Sequence, residues 1–255
     1  DLSMVRKHLT TYNYCNQKSM AKLHPNDQLF CTAYYNFLGK LLENGCDKVQ
    51  ASGTENKVYH LGESHCLSYA HQKIKIKGID YKIAPKITFG GKAFHFSRIK
   101  DDAFNAITKA NFDGIPNNSK VFVSFGEIDC RPNEGFITAA QKLNKRKGEL
   151  ITNVVKGYFN WFARQNEAKK NVLYFFNVPA PVYDDKLDSE LNLEVARTVI
   201  KFNAAMNENV GEYNFGLIDV HKLTVADNGF SNGNFHIDQR HLGPNAISEF
   251  ERQLN

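Results

Sequence analysis

Two short apolar runs, residues 121–125 and 172–176, constrain the fold of this chain more than any other feature of its sequence. Their sequences are Val-Phe-Val-Ser-Phe and Val-Leu-Tyr-Phe-Phe, and neither shows the strict alternation of a strand with one face in water. Between them, Leu150, Val154 and Trp161 keep helical spacing. The pattern predicts strands of a mainly parallel sheet that is covered by helices.

Strands and helices alternate along the chain from residue 57 onward. The predicted strands are 57–61, 81–88, 119–125, 171–176 and 215–220, and two further helices are predicted near 187–209 and 243–253. A separate helix is predicted over residues 26–44, where apolar residues such as Phe37 and Leu41 recur at steps of three or four. We therefore expect a five-stranded α/β domain over residues 55–255 and a helical N-terminal appendage over residues 1–50.

The composition indicates a globular protein and excludes a membrane-spanning chain. Hydrophobic residues make up 42% of the sequence and charged residues 23%, which is enough apolar material for a core. No apolar run has the length needed to span a bilayer. The net charge of +5 is mild, and only residues 73–77 alternate Lys with Ile. That stripe suits nucleic acid or, more simply, a hairpin with a solvated Lys face, so we expect no nucleic-acid partner.

The cysteines and the N-terminus bear on where the protein works. The five cysteines, at positions 15, 31, 46, 66 and 130, match no disulfide or zinc spacing. Free thiols in a reducing compartment are the simplest interpretation, so we expect a cytoplasmic protein. The chain begins at Asp1 without Met, which favours a piece of a longer protein. The N-terminal helical part is then a candidate for docking to a larger chain or partner.

Polar and glycine residues follow each predicted strand. Ser64 comes after the first strand, Gly90-Gly91 after the second, residues 126–131 after the third, residues 177–181 after the fourth, and Asp238 and His241 after the fifth. Ligands of parallel α/β sheets bind outside the carboxyl ends of the strands, so these residues are expected to converge. The sequence predicts a functional site at this edge.

Ser64, His241 and Asp238 supply the groups of a serine nucleophile system. His241 would take the hydroxyl proton of Ser64, and Asp238 would fix the imidazole tautomer. A serine at a strand–helix junction is also a common helix N-cap, which is the alternative role of Ser64. His236, Asp238 and His241 could instead be metal ligands, but this rests on spacing alone and we expect no metal.

In these blocks the chain resembles the SGNH or GDSL family of hydrolases and acyltransferases. The family's serine block corresponds to Leu61-Gly62-Glu63-Ser64, its glycine block to Gly90 and Gly91, its third block to Gly126-Glu127-Ile128-Asp129 and its last block to Asp238-Gln239-Arg240-His241. The resemblance implies a three-layer α/β/α, flavodoxin-like fold over residues 55–255. It also implies that the backbone amides of Ser64 and of Gly90 or Gly91 face the oxyanion, and that hydrolysis needs no cofactor.

Two residues depart from the family pattern. Glu63 replaces an aspartate and keeps the carboxylate, whereas Ile128 stands where the family has an asparagine that donates to the oxyanion. Arg131 and Asn133, just downstream, are the predicted substitutes for that donor. Glu127, Asp129 and Arg131 form a charged group that is either a set of substrate contacts or a structural salt bridge.

The expected function is a serine esterase that acts on a small acyl ester, such as an O-acetylated carbohydrate. The substrate class follows from the family and from the lack of a long apolar segment that could form a lid for lipid. Two alternatives stay open: an O-acyltransferase with the same three residues, which needs an acyl donor, and a catalytically silent domain that binds a glycan or acyl group. The substitution at Ile128 favours the silent domain.

Overall fold

A six-stranded sheet forms the centre of the computed structural model, which describes residues 22–44 and 56–255. The strands are β1 (Lys57–Gly62), β2 (Lys73–Ile76), β3 (Ile79–Ile87), β4 (Lys120–Ser124), β5 (Val172–Phe176) and β6 (Gly216–Ile218). Their order is β2-β3-β1-β4-β5-β6, and only the β2–β3 pair is antiparallel. The chain passes from β1 to one side and later to β4 on the other, so the connection reverses at β1, where such sheets bind ligands.

Helices cover both faces of the sheet and one end of it. They are α1 (Pro25–Glu43), α2 (Ala93–Phe96), α3 (Ala103–Asp113), α4 (Glu127–Cys130), α5 (Phe136–Leu143), α6 (Lys147–Asn166), α7 (Ser189–Asn209), α8 (Val220–Thr224) and α9 (Ile247–Leu254). Short 3₁₀ turns span Ser64–Leu67, Val210–Tyr213 and Pro244–Ala246.

The side chains of β4 explain why the molecule has three layers. Val121 and Val123 point to one face, where they join a core with Tyr158 of α6. Phe122 points to the opposite face and joins a second core with Phe250 of α9. Both faces of the strand are therefore buried, as its unbroken apolar sequence predicts.

The sheet has one strand more than the sequence predicts. The additional strand is β2, in which Ile74 and Ile76 are buried while Lys73 and Lys75 are exposed. It returns into β3 through Lys77 and Gly78, both with positive φ (49° and 76°), as a two-residue hairpin requires. The lysine stripe is thus a hairpin with a solvated face, as the sequence favours, and the five-stranded prediction omitted only its first strand, which has four residues.

Some predictions concern residues outside the described part of the chain. Residues 1–21 and 45–55 of the predicted appendage and its linker lie there, as do Cys15 and Cys46, and the division at residues 50–55 stays a prediction. Among the described cysteines, Cys31, Cys66 and Cys130 are free thiols. No helix within the described residues combines the length and apolarity that crossing a membrane requires.

Candidate active site

The turn after β1 holds Ser64 at the carboxyl edge of the sheet. Gly62 ends the strand against β4, and a Cβ at this position would lie 2.7 Å from the backbone oxygen of Ser124, so only glycine fits without a shift. The next residue, Glu63, caps the 3₁₀ turn by accepting a hydrogen bond from the His65 amide at 3.2 Å. The cap is therefore Glu63, and the Ser64 side chain is left for other contacts.

Ser64, His241 and Asp238 lie in hydrogen-bonding contact although Ser64 and His241 are 177 residues apart. Ser64 Oγ is 2.8 Å from His241 Nε2, and His241 Nδ1 is 2.8 Å from Asp238 Oδ2. Asp238 Oδ1 also accepts the backbone N–H groups of His241 and Arg240 at 2.7 and 2.8 Å. The carboxylate thus fixes the loop and the imidazole ring together.

The electrostatics of Asp238 favour its ionised form. Burial alone would raise its pKa, but the hydrogen bond from the His241 ring, with the backbone amides of His241 and Arg240, outweighs burial and holds the pKa below its usual value. An ionised Asp238 accepts a hydrogen bond from His241 Nδ1, which therefore carries the ring proton. The lone pair of Nε2 then faces Ser64, as a general base requires.

Glu63 and His65 form a buried ion pair that joins the serine turn to the histidine loop. Glu63 Oε1 is 2.6 Å from His65 Nδ1, and His65 Nε2 is 2.9 Å from the backbone oxygen of Arg240. Burial would lower the pKa of His65, yet the charge and hydrogen bond of Glu63 raise it to about 9. The imidazolium of His65 therefore donates to Glu63 from one ring nitrogen and to the backbone of Arg240 from the other. It thereby positions Arg240, the residue that precedes His241.

Helix α1 lies over this group of residues. Phe37 stacks on the His241 ring with centroids 3.7 Å apart and an angle of 20° between the planes. Tyr34 packs edge-on against Phe89, with ring centroids 5.0 Å apart. Between helix and serine lies a cavity of about 350 Å³, here called the serine cavity. Its lining residues are Ala33, Tyr34, Phe37, Ser64, Gly90, Ile128, Arg131, Glu134, Arg240 and His241.

The two predicted oxyanion glycines have different surroundings. Gly90 lines the serine cavity and has a positive φ of 70°, which favours glycine. The N–H of Gly91 donates to the Thr88 carbonyl at 3.0 Å, and a Cβ on Gly91 would lie 2.7 Å from the Phe125 ring. Gly91 is therefore committed to the turn, and Gly90 is the better placed of the two.

The predicted contacts of the third block are mostly structural. The guanidinium of Arg131 donates to Glu127 from Nε and Nη2, at distances between 2.6 and 3.1 Å, and Nη1 donates to Glu134. Glu127 also accepts from Arg240 at 2.9 Å, which matches the salt-bridge interpretation of this group. Arg131 lines the serine cavity, but its donors are directed at these carboxylates.

Asp129 and Asn133 do not line the serine cavity. The Asp129 carboxylate accepts the backbone N–H groups of Ala93 and Phe94 at 2.8 and 3.0 Å, and so caps α2. Both Asp129 oxygens are thus bonded to the backbone of α2, and a substrate contact at Asp129 stays a prediction. Asn133 lines a neighbouring cavity of about 160 Å³, here called the second cavity, whose wall also includes Arg131 and Arg240.

The alternative metal set does not assemble. His236 Nδ1 is 2.8 Å from Ser231 Oγ, whereas Asp238 is taken up by His241. Across residues 22–44 and 56–255, no three His, Cys, Asp or Glu side chains are grouped to hold a metal ion.

Sequence reasoning missed Tyr34, Phe37 and the role of His65. The helical spacing of α1 placed Tyr34 and Phe37 on its apolar face, but the spacing carries no information about which surface that face covers. An aromatic hydroxyl on such a face is the one signal that could have drawn attention to Tyr34.

Comparisons with known proteins place the fold. No family model and no curated protein matches the sequence. A protein from Streptococcus pneumonia, named for platelet activating factor, is 13% identical with a TM-score of 0.50, over 88% of this chain and 97% of its own. A GDSL-like lipase from Bacteroides thetaiotaomicron is also 13% identical, with a TM-score of 0.48, and the match covers 86% of this chain and 94% of the lipase. The chain has an SGNH-like α/β/α fold, which confirms the fold that its sequence blocks predict.

Proposed function

We propose that this protein is a serine esterase in which Ser64 is the nucleophile, His241 the general base and Asp238 the residue that orients it. The observation that carries the proposal is the chain of contacts from Ser64 Oγ through the His241 ring to Asp238, each link within 2.8 Å. Ser64 and His241 both line the serine cavity, together with Gly90 and Ile128. The arrangement matches what nucleophilic attack on a carbonyl requires.

The proposed reaction has two halves. Ser64 Oγ bonds to the acyl carbon, its proton passes to His241 Nε2, and the alcohol then leaves with that proton as its C–O bond breaks. Water attacks the acyl group on Ser64 and gives a proton to His241. The acid departs, and the proton returns to Ser64 Oγ.

A small acyl group on a hydroxylated alcohol, such as an O-acetylated carbohydrate, is the proposed substrate class. The serine cavity is closed on one side by Tyr34 and Phe37, which favours a short acyl group. The second cavity, beyond Arg131 and Arg240, offers exposed polar groups, Asn133 and Gln239, that suit sugar hydroxyls.

The proposal is tested by labelling with a fluorophosphonate probe and by hydrolysis of p-nitrophenyl acetate and p-nitrophenyl octanoate. We expect one label per chain at Ser64, seen by peptide mapping, and faster turnover of the acetate. Ser64→Ala should abolish both signals, while the exposed Ser248→Ala should retain them. A wild-type protein that neither labels nor hydrolyses would contradict the proposal.

A catalytically silent binding domain is the second candidate, and the apolar Ile128 on the cavity wall is the observation that favours it. This candidate predicts no labelling at Ser64 but measurable binding of an acetylated oligosaccharide by calorimetry. An O-acyltransferase uses the same three residues. It would give an acetylated product only when both an acetyl donor and an alcohol acceptor are present.

A further inference from the structure

The proposed chemistry requires a hydrogen-bond donor that the third sequence block does not provide. Ile128 lines the serine cavity with an aliphatic side chain. Loss of one oxyanion donor typically lowers kcat by about 10²–10³. The substitutes expected from the sequence are poorly placed, since Arg131 is bonded to two carboxylates and Asn133 lines the second cavity.

Helix α1 brings a different donor to the nucleophile. Tyr34 lines the serine cavity together with Ser64, Gly90 and Ile128, so its side chain borders the space in which the acyl carbon must lie. Its ring is held by the edge-on contact with Phe89, and one turn further along the helix Phe37 stacks on His241. Phe37 and Leu41 continue this face of α1 into a small core with Leu67. The position of Tyr34 is therefore fixed from both sides.

The proton inventory at Ser64 leaves Tyr34 only the role of a donor. The Ser64 hydroxyl has one proton and two acceptors close by, Glu63 Oε2 at 2.7 Å and His241 Nε2 at 2.8 Å. Whichever of the two receives that proton, none is left for Tyr34. The Tyr34 hydroxyl therefore brings its own proton to the serine cavity.

We propose that the Tyr34 hydroxyl is a catalytic residue that donates to the oxyanion of the tetrahedral intermediate, in place of the donor that Ile128 lacks. This role rests on the proposed esterase function. When Oγ bonds to the acyl carbon, its proton moves to His241 and the carbonyl oxygen becomes negative on that same carbon. The oxyanion therefore forms on the carbon bonded to Ser64 Oγ, within the cavity that Tyr34 lines.

The surroundings of Tyr34 keep it protonated. Burial raises the pKa of its hydroxyl, and the negative charge of Glu63 raises it further. Tyr34 therefore donates throughout the neutral range. Arg240, another donor on the cavity wall, has a side chain that is 42% exposed and bonded to Glu127, where water weakens its effect on an oxyanion.

The test compares Tyr34→Phe with wild type and with Tyr35→Phe, the neighbouring tyrosine of the same helix. We expect Tyr34→Phe to lower kcat for p-nitrophenyl acetate by about 10²–10³, with KM and the thermal midpoint close to wild type. Tyr35→Phe should match wild type. Fluorophosphonate labelling at Ser64 should slow in Tyr34→Phe but remain stoichiometric.

A second substitution separates catalysis from structure. Ile128→Asn, or the smaller Ile128→Ser if asparagine unfolds the protein, should raise kcat of the Tyr34→Phe variant at least tenfold by restoring a donor. A Tyr34→Phe enzyme as active as wild type, or one that neither substitution rescues, overturns the role of Tyr34 and leaves the esterase intact. A wild type that neither labels nor hydrolyses overturns the esterase and the Tyr34 role together.

Discussion

At the scale of single residues, Asp238 is the most heavily bonded member of the candidate site. Its two oxygens accept the His241 ring and two backbone N–H groups. Asp238→Asn keeps the shape but presents an amide that can turn its N–H₂ toward Nδ1 and select the wrong tautomer of His241. By analogy with other such triads we expect kcat for p-nitrophenyl acetate to fall by about 10⁴.

The matched control for that measurement is Asp227→Asn, an exposed aspartate of the same C-terminal loop region. It should leave kcat and the thermal midpoint unchanged. Full activity in Asp238→Asn would show that the carboxylate does not orient His241 during turnover. Loss of activity accompanied by unfolding would mean that Asp238 serves the loop more than the chemistry.

The sequence predicted some site residues and could not predict others, for physical reasons. Ser64, Asp238 and His241 follow strands, and parallel strands bring their carboxyl ends together whatever the details of packing. Asp129 also follows a strand, but its carboxylate turns inward to cap α2. Whether an acidic side chain faces a cavity or a helix end depends on tertiary contacts. The same holds for Tyr34, whose role depends on where α1 docks.

At the scale of elements, helix α1 is the part of the molecule on which the site most depends. Leu41 is 4% exposed and anchors α1 beside Phe37, yet it does not line the serine cavity. Truncating such a side chain costs about 2–5 kcal/mol of packing, here concentrated on the docking of one helix. We expect Leu41→Ala to increase amide hydrogen exchange in α1 and to lower kcat toward the Tyr34→Phe value.

Lys40→Ala, on the exposed side of the same turn, is the control and should change neither quantity. Wild-type turnover by a Leu41→Ala protein in which α1 exchanges freely would remove α1 from the active site. Slower turnover with α1 still protected would point instead to a disturbance of Leu67 and the serine turn.

Elements with strong patterns were predicted closely. The predicted helices at 26–44 and 187–209 correspond to α1 (Pro25–Glu43) and α7 (Ser189–Asn209), because long amphipathic repeats leave little choice of structure. The edge strand β2 was left out of the predicted sheet, although its alternation favours a hairpin, because four residues do not show that the hairpin joins the sheet. β3, at residues 79–87, makes that connection, since it pairs with β2 on one side and with β1 on the other.

At the scale of the whole molecule, the buried ion pair of Glu63 and His65 links stability to pH. The two side chains are 2% and 8% exposed, so water screens their interaction little. Despite burial, the pKa of Glu63 lies below its ordinary value because of the charge and hydrogen bond of His65. The Glu63 contribution to stability is thus present above its unfolded pKa of 4.5 and is lost as the pH falls through the lower folded value.

His65 determines how stability changes with pH between 6.5 and about 9. Its pKa is raised from 6.5 to about 9, so its contribution to stability is complete below pH 6.5 and disappears as the pH rises through 9. Each unit of pKa shift corresponds to about 1.36 kcal/mol, so His65 contributes on the order of 3 kcal/mol to the free energy of unfolding. We expect the free energy of unfolding, from urea titrations at pH 6 to 9.5, to decline over this range in the wild type.

His65→Gln should remove that decline and lower stability at pH 6 by about 3 kcal/mol or more, because Glu63 is then buried without its charged partner. His71→Gln is the control: burial lowers the pKa of His71, so it is neutral above pH 7 and its loss should leave the slope between pH 7 and 9.5 unchanged. An equally steep decline in His65→Gln would place the titrating group elsewhere. Kinetics over the same range would then show whether the histidine loop, which His65 holds through Arg240, loosens before the fold does.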